Sequence, residues 1–208
     1  MNLYLASGSP RRAQLLAQIG FSISKIASDI DETPHENELA LAYTERMAIQ
    51  KSEQALALFV AAHGAEPKLP VLTADTSVAI DGLILGKPDN HAHAVAMLRM
   101  LSGRSHQVIS SVVVWHQGQR NQATQVSDVT FRPLTEAEIQ AYVDSSEADD
   151  KAGAYGIQGA AAVFIEHLSG SFSGVMGLPL FETAALLRSI GLDRKSTRLN
   201  SSHRCLSR

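Results

Sequence analysis

The segment Val71-Leu-Thr-Ala-Asp-Thr-Ser-Val-Ala-Ile80 is rich in β-branched and apolar residues, and it runs straight into Asp81-Gly82 and then Leu83-Ile-Leu85. Asp-Gly suits the positive backbone angles of a two-residue hairpin turn, so the two segments predict adjacent antiparallel strands. Such a strand belongs in a core, yet this one carries a carboxylate, Asp75, followed by the two hydroxyl residues Thr76 and Ser77. An unpaired carboxylate is costly to bury. Asp75 must therefore pair with a cation, sit where the strand opens onto a cleft, or be satisfied by backbone N–H groups at a strand end.

Around this hairpin the pattern alternates in type. Leu3 to Ala6 reads as a short buried strand, with Ser9-Pro10 at the N-cap and first turn of a helix that places Leu15, Leu16 and Ile19 on one face and stops at Gly20. Ser22 to Ala27 predicts a second strand, and an acid-rich loop from Ser28 to Glu36 leads into a long helix over about Leu39 to Ala62. Asp89 opens a helix through Leu101, while Gln107 to Trp115 and Ala123 to Phe131 form a second hairpin around Gln117-Gly118-Gln119. Thr135 with Glu138 makes a capping box for a helix ending near Val143. Short strands are expected at Ala162 to Ile165 and Phe172 to Met176, and a closing helix at Pro179 to Ile190. Hairpins beside crossovers predict a mixed α/β fold around a twisted sheet with flanking helices.

Charge and cysteine usage narrow the chemistry. The formal charge is −3, and Lys195, Arg198, Arg204 and Arg208 stand without an acid in the last fourteen residues, so removing their four positive charges leaves −7 for the body. An acidic body lacks the basic footprint of non-specific nucleic-acid binding. Any phosphate must then be met by a local cluster of donors. The single cysteine, Cys205, excludes an internal disulfide and a thiolate metal cage, leaving oxygen ligands for a hard cation. No apolar run reaches the roughly 20 residues that cross a bilayer, and the N-terminus lacks signal-peptide order, so a soluble, cytoplasmic protein is expected. Residues 195–208 are polar and aperiodic and resemble a translated adaptor, the alternative being a native basic tail; the expected domain is 1–194, as two lobes around one cleft.

Four further segments offer chemistry. Ala6-Ser-Gly-Ser-Pro-Arg-Arg12 places small residues and two arginines between a strand and a helix, a setting for an anion or for an ordinary cap with solvated charges. Lys87, in Gly86-Lys-Pro88, reaches a phosphate or is simply solvated. Lys151-Ala-Gly-Ala-Tyr-Gly-Ile-Gln-Gly159 allows backbone close to a ligand, with Tyr155 and Gln158 able to contact a base, or is a flexible loop. Glu32 and Lys51 complete the set, each alone a surface charge. The eight histidines show no metal-ligand spacing and read as mostly exposed, and no phosphate-binding P-loop pattern occurs.

Taken in order, Ala-Ser-Gly-Ser-Pro-Arg-Arg, the Asp-Glu loop, Ala-Asp-Thr, Gly-Lys-Pro, Leu-Ser-Gly103, Lys-Ala-Gly-Ala-Tyr-Gly-Ile-Gln-Gly and Gly177-Leu-Pro179 resemble the Maf family of nucleotide pyrophosphatases over about residues 3 to 190. The resemblance implies a mixed α/β fold with a deep cleft, similar to the inosine triphosphate pyrophosphatases, and a homodimer without membrane or nucleic-acid partners. It implies cleavage of a nucleoside triphosphate to the monophosphate and pyrophosphate with Mg2+ or Mn2+. By the same resemblance Asp75 accepts the proton of the attacking water or holds the metal, Glu32 helps to hold the metal, and Ser7, Arg11, Arg12, Lys51 and Lys87 surround the triphosphate. Arg12, Thr76 and Gln158 match the branch that acts on dTTP and UTP, with modified pyrimidine nucleotides, pool sanitation and cell-division arrest as extensions. Alternatives within reach are a 7-methyl-GTP or inosine-type purine enzyme and a nucleotide-binding regulator of septation.

Overall fold

A computed structural model describes residues 2–192. The expectations for the tail at 195–208 and for Cys205 lie outside the described residues. Seven strands form one mixed sheet: β1 (Asn2–Leu5), β2 (Ser22–Lys25), β3 (Val71–Ile80), β4 (Leu83–Leu85), β5 (Ser105–His116), β6 (Gln119–Phe131) and β7 (Ile165–Ser169). The strand order is β2-β1-β3-β5-β6-β7, with β4 paired to β3. β1 is parallel to β2 and β3, as the intervening helices require, and the remaining pairs are antiparallel. The helices are α1 (Pro10–Gln18), α2 (Ala40–His63), α3 (His91–Leu101), α4 (Glu136–Asp144), α5 (Phe172–Val175) and α6 (Leu180–Ser189).

Both hairpins form as the turn chemistry dictates, Asp81 and Gly82 at φ 51° and 79°, Gln117 and Gly118 at φ 50° and 78°. The capping box at Thr135 and Glu138 is complete. Other expectations shift. Asn90, not Asp89, caps α3, its side chain accepting from His93 N. Ser9 occupies the N-cap of α1 but makes no side-chain cap bond, and Pro10 fills the first helical position. The apolar run at Phe172 is a one-turn helix instead of a strand, because Ser171 accepts from Gly174 N and closes the turn. Ala160–Phe164 is a 3-10 turn that delivers the chain to β7. Most of the described histidines are exposed, as expected, and His106 is the buried exception among them.

Two apolar clusters sit at opposite ends of the long central strands. One gathers Leu3, Leu5, Leu15, Leu16, Leu72, Ala74, Val112, Val114 and Leu187. The other gathers Val78, Ile80, Leu85, Leu98, Leu101, Val108, Val129, Phe131 and Ile139. β3 thus leaves one cluster at Ala74 and enters the other at Val78, and the residues between are Asp75, Thr76 and Ser77. Their register partners on β5 include Ser111 and Ser110, so a polar belt crosses the sheet between two cores.

The same stretch of β3 is open on its other edge. β1 pairs with β3 only at Val71 and Leu72, and β4 only from Val78 to Ile80. Between the end of one strand and the start of the other, residues 73–77 form no ladder on that edge. Asp75 and Thr76, which alternate to opposite faces of the sheet, therefore both border a single gap, which is what positions the site.

Candidate active site

A cavity of about 610 Å³ occupies this gap. Its walls are the β1–α1 turn, the Ser28 to Glu32 loop, the middle of β3, the Gly86-Lys87 turn, and the loops carrying Lys151, Gln158 and Gly177. The nine residues to which the resemblance gives a role, Ser7, Arg11, Arg12, Glu32, Lys51, Asp75, Thr76, Lys87 and Gln158, all line it, as does Tyr155. A volume within the usual 300–1,000 Å³ of small-molecule sites suits one nucleotide. Five cationic side chains, Arg11, Arg12, Lys51, Lys87 and Lys151, face four carboxylates, Asp29, Glu32, Asp75 and Asp150.

Alternation along β3 divides the work between two faces. Asp75, Thr73 and Ser77 turn toward α2: Thr73 Oγ1 donates to the Ala48 carbonyl at 2.8 Å, and Ser77 Oγ lies 2.9 Å from Thr44 Oγ1. From the next turns of α2, Lys51 donates to Asp75 Oδ1 at 2.6 Å, so the buried carboxylate is paired with a cation and also opens on a cavity. Lys51 Nζ lies 2.6 Å from Glu32 Oε1 as well. Burial pushes the Glu32 carboxyl up, but the hydrogen bond and charge of Lys51, helped by Lys87 and Arg12, hold it below its ordinary value. Tyr43, raised to about 12 by burial and by Asp75 and Glu32, stays protonated and donates to the Glu32 carbonyl at 2.8 Å.

On the opposite face Thr76 meets Arg12. The guanidinium donates from Nε to the Gly177 carbonyl at 2.8 Å, from Nη1 to Ser7 Oγ at 3.1 Å and from Nη2 to Thr76 Oγ1 at 3.3 Å. Burial pulls Arg12 below its ordinary value against the attraction of Asp75, though a guanidinium remains charged throughout. Thr76 Oγ1 in turn lies 2.7 Å from Ser110 Oγ, which donates to the Gly174 carbonyl at 2.7 Å. This chain of bonds joins the β1–α1 turn, β3, β5 and α5 behind one wall of the cavity.

The carboxylates Glu32 and Asp75 converge on one cationic atom and supply hard oxygen donors. Among the described residues no three His, Cys, Asp or Glu side chains cluster as a complete metal cage. Two carboxylates fit Mg2+, which takes one or two protein carboxylates and completes its shell with water and substrate phosphates. Gln158 is exposed at the cavity wall. Tyr155 also lines the cavity, but it is largely buried and its hydroxyl lies 2.8 Å from His106 Nε2, so it packs beneath the loop with its polar end turned to the core. Asp150 escaped the sequence reading, and Lys151 entered it only as the head of the glycine-rich segment, without a role; both line the cavity.

The family model described as Maf-like protein matches residues 2–190. The chain belongs to the Maf family. Among curated Maf relatives, the dTTP/UTP pyrophosphatase of Pasteurella multocida is 52% identical over 91% of this chain and 96% of its own. The dTTP/UTP pyrophosphatase of Neisseria gonorrhoeae is 46% identical over 91% and 94%. The nucleoside triphosphate pyrophosphatase of Haemophilus ducreyi is 51% identical over 92% and 96%. A solved structure, the Ham1 protein of Staphylococcus aureus, is similar over 63% of this chain and 72% of its own, at a TM-score of 0.45 and 15% identity, too slight a likeness to bear on the site. No helix among the described residues is long and apolar enough to cross a membrane.

Proposed function

We propose that this Maf protein is a nucleoside triphosphate pyrophosphatase that hydrolyses dTTP and UTP to the monophosphate and pyrophosphate. Relatives at about half identity over nearly their whole length carry that activity in their names. The observation that carries the reading is the pairing of Asp75 and Glu32 through Lys51 in a cavity that Arg11, Arg12 and Lys87 also line. Cleavage between the α- and β-phosphates adds the oxygen of water to the α-phosphorus, passes a proton away from it, and leaves the electron pair of the broken P–O bond on pyrophosphate.

Three tasks follow for these side chains. Arg11, Arg12 and Lys87 offset the charge of the phosphates, which grows on the bridging oxygen as it leaves. Lys51 fixes the orientation of Asp75, whose second oxygen is free to take the proton of the attacking water or to position that water. Glu32 and Asp75 would hold the divalent ion, Mg2+ or Mn2+, which neutralises phosphate charge when bound. Ser7, bonded to Arg12 and placed at the start of the β1–α1 turn, adds a hydroxyl beside the phosphates. Arg12, Thr76 and Gln158 set the pyrimidine preference, Gln158 by offering both a donor and an acceptor to the base edge.

A panel of dTTP, UTP, CTP, ATP, GTP, inosine triphosphate and 7-methyl-GTP, with pyrophosphate detection and with or without Mg2+, tests the reading. dTTP and UTP should turn over fastest, and only with the metal. Faster cleavage of 7-methyl-GTP or inosine triphosphate would replace the pyrimidine assignment with a purine one. From the family resemblance we also propose a cytoplasmic homodimer, which sedimentation of the purified chain checks.

A further inference from the structure

Arg11 and Lys151 are the two cavity cations already neutralised by one carboxylate that the hydrolytic mechanism leaves unused. Arg11 Nη1 donates to Asp150 Oδ2 at 3.2 Å, and Lys151 Nζ donates to Asp150 Oδ1 at 2.7 Å. Each oxygen of Asp150 thus takes one cation, as two oxygens of a phosphoryl group would. We propose that Asp150 is an exchangeable counter-anion of the polyphosphate site, holding Arg11 and Lys151 in the free protein and yielding both to the phosphates of a bound nucleotide. This deepens the function proposed above and rests on it.

The exposure of the three groups is asymmetric in the required sense. The Asp150 side chain is 61% exposed, whereas Arg11 is 21% and Lys151 11% exposed. The carboxylate can rotate into water at little cost, but the sheltered cations would be left with uncompensated charge unless another anion arrived. Lys151 is held from two further sides. Its ammonium donates to the Glu147 carbonyl, and its stem lies across Gly156, where an added Cβ would stand 2.7 Å from Lys151 Cε. A side chain at position 156 would therefore displace the Lys151 stem from this course. An ammonium has three protons, and this one spends two on Glu147 and Asp150, leaving a donor on a residue that lines the cavity.

The electrostatics also fix which ligand is affected most. The Asp150 carboxylate stands mostly in water, which weakens its hold on the two cations, so a multivalent anion displaces it readily. The departing pyrophosphate faces the reverse exchange, because Asp150 competes for the same two cations and favours release. Removing the charge of Asp150 while keeping its shape should then strengthen binding of inorganic polyphosphates.

Calorimetric titration of the full chain with inorganic pyrophosphate in Mg2+ tests this. Asp150→Asn should bind about fivefold more tightly than wild type at low ionic strength, with the gain shrinking at about 0.5 M NaCl as screening shortens the reach of the charge. Asp149→Asn is the control, since Asp149 is half-exposed and lies 3.7 Å from His91 instead. It should leave pyrophosphate binding near the wild-type value. Unchanged or weaker binding by Asp150→Asn would overturn the proposal, as would an equal gain in Asp149→Asn, which would reduce the effect to net charge. The readout is binding and not turnover, so failure of the function itself registers separately, as a wild-type chain inert toward every nucleotide in the panel.

Discussion

At the scale of single residues, Asp75 carries the most specific commitment. It sits between two apolar cores, is 8% exposed, and finds its counter-charge in a lysine 24 residues earlier. Asparagine in its place keeps the volume and an acceptor for Lys51, and Glu32 still balances the ammonium. Asp75→Asn should therefore fold normally while turnover falls more than about a hundredfold, the usual scale for a lost acid–base group. Steady-state kinetics on UTP beside a thermal melt would decide it, and near-normal turnover in a folded variant would remove Asp75 from the chemistry. What the sequence revealed of this residue was the problem it poses, a carboxylate inside a strand. The solution was not legible, because the approach of Lys51 depends on how α2 lies across β3.

At the scale of elements, legibility followed how local the determining interactions are. The two hairpins and the capping box at Thr135 are set by residues within four positions of one another, and they form as expected. The segment at Phe172 reads as a strand from its apolar content, yet the Ser171 hydroxyl on Gly174 N decides for a helical turn. The open edge of β3 could not be read at all, since it arises from where β1 ends and β4 begins. Nor could the pairing of Arg11 with Asp150, 139 residues apart. The loop that brings in Lys151 and Gln158 is seated by Gly153, whose φ is +68° and whose added Cβ would stand 2.9 Å from both methyls of Val78. Gly153 N also donates to the Gly86 carbonyl at 3.0 Å, tying this loop to the turn of Lys87. Gly153→Ala combines left-handed strain with overpacking and should cost about 1–3 kcal/mol in urea unfolding. It should also raise KM, because two walls of the cavity move with it. A variant with wild-type stability would show that the loop is not seated there.

At the scale of the whole molecule, His106 links global stability to pH. It lies in the core on β5, packs edge-on against Phe131 with ring centroids 5.1 Å apart, and shares a 2.8 Å hydrogen bond with Tyr155. Its Nδ1 is buried with no partner among the described residues. Burial lowers its pKa from 6.5 to about 4, so the folded chain keeps a neutral imidazole over a range in which the unfolded chain takes up a proton. The sign follows directly: this contribution is fully present above about pH 6.5 and is lost as pH falls toward 4, reaching about 3 kcal/mol. Glu38 and Glu138, held at about 2 chiefly by hydrogen bonds from Arg46 and Arg132, act on stability only below about pH 4.5. The interval from 6.5 to 4.5 is thus the window in which His106 can be read. Urea unfolding at intervals across it should show stability falling with acidification in the wild type, and a flatter profile in His106→Gln, which retains a polar partner for Tyr155 but does not titrate. Parallel profiles for the two proteins would mean that acid destabilises this fold through other groups, and that the buried imidazole is only packing.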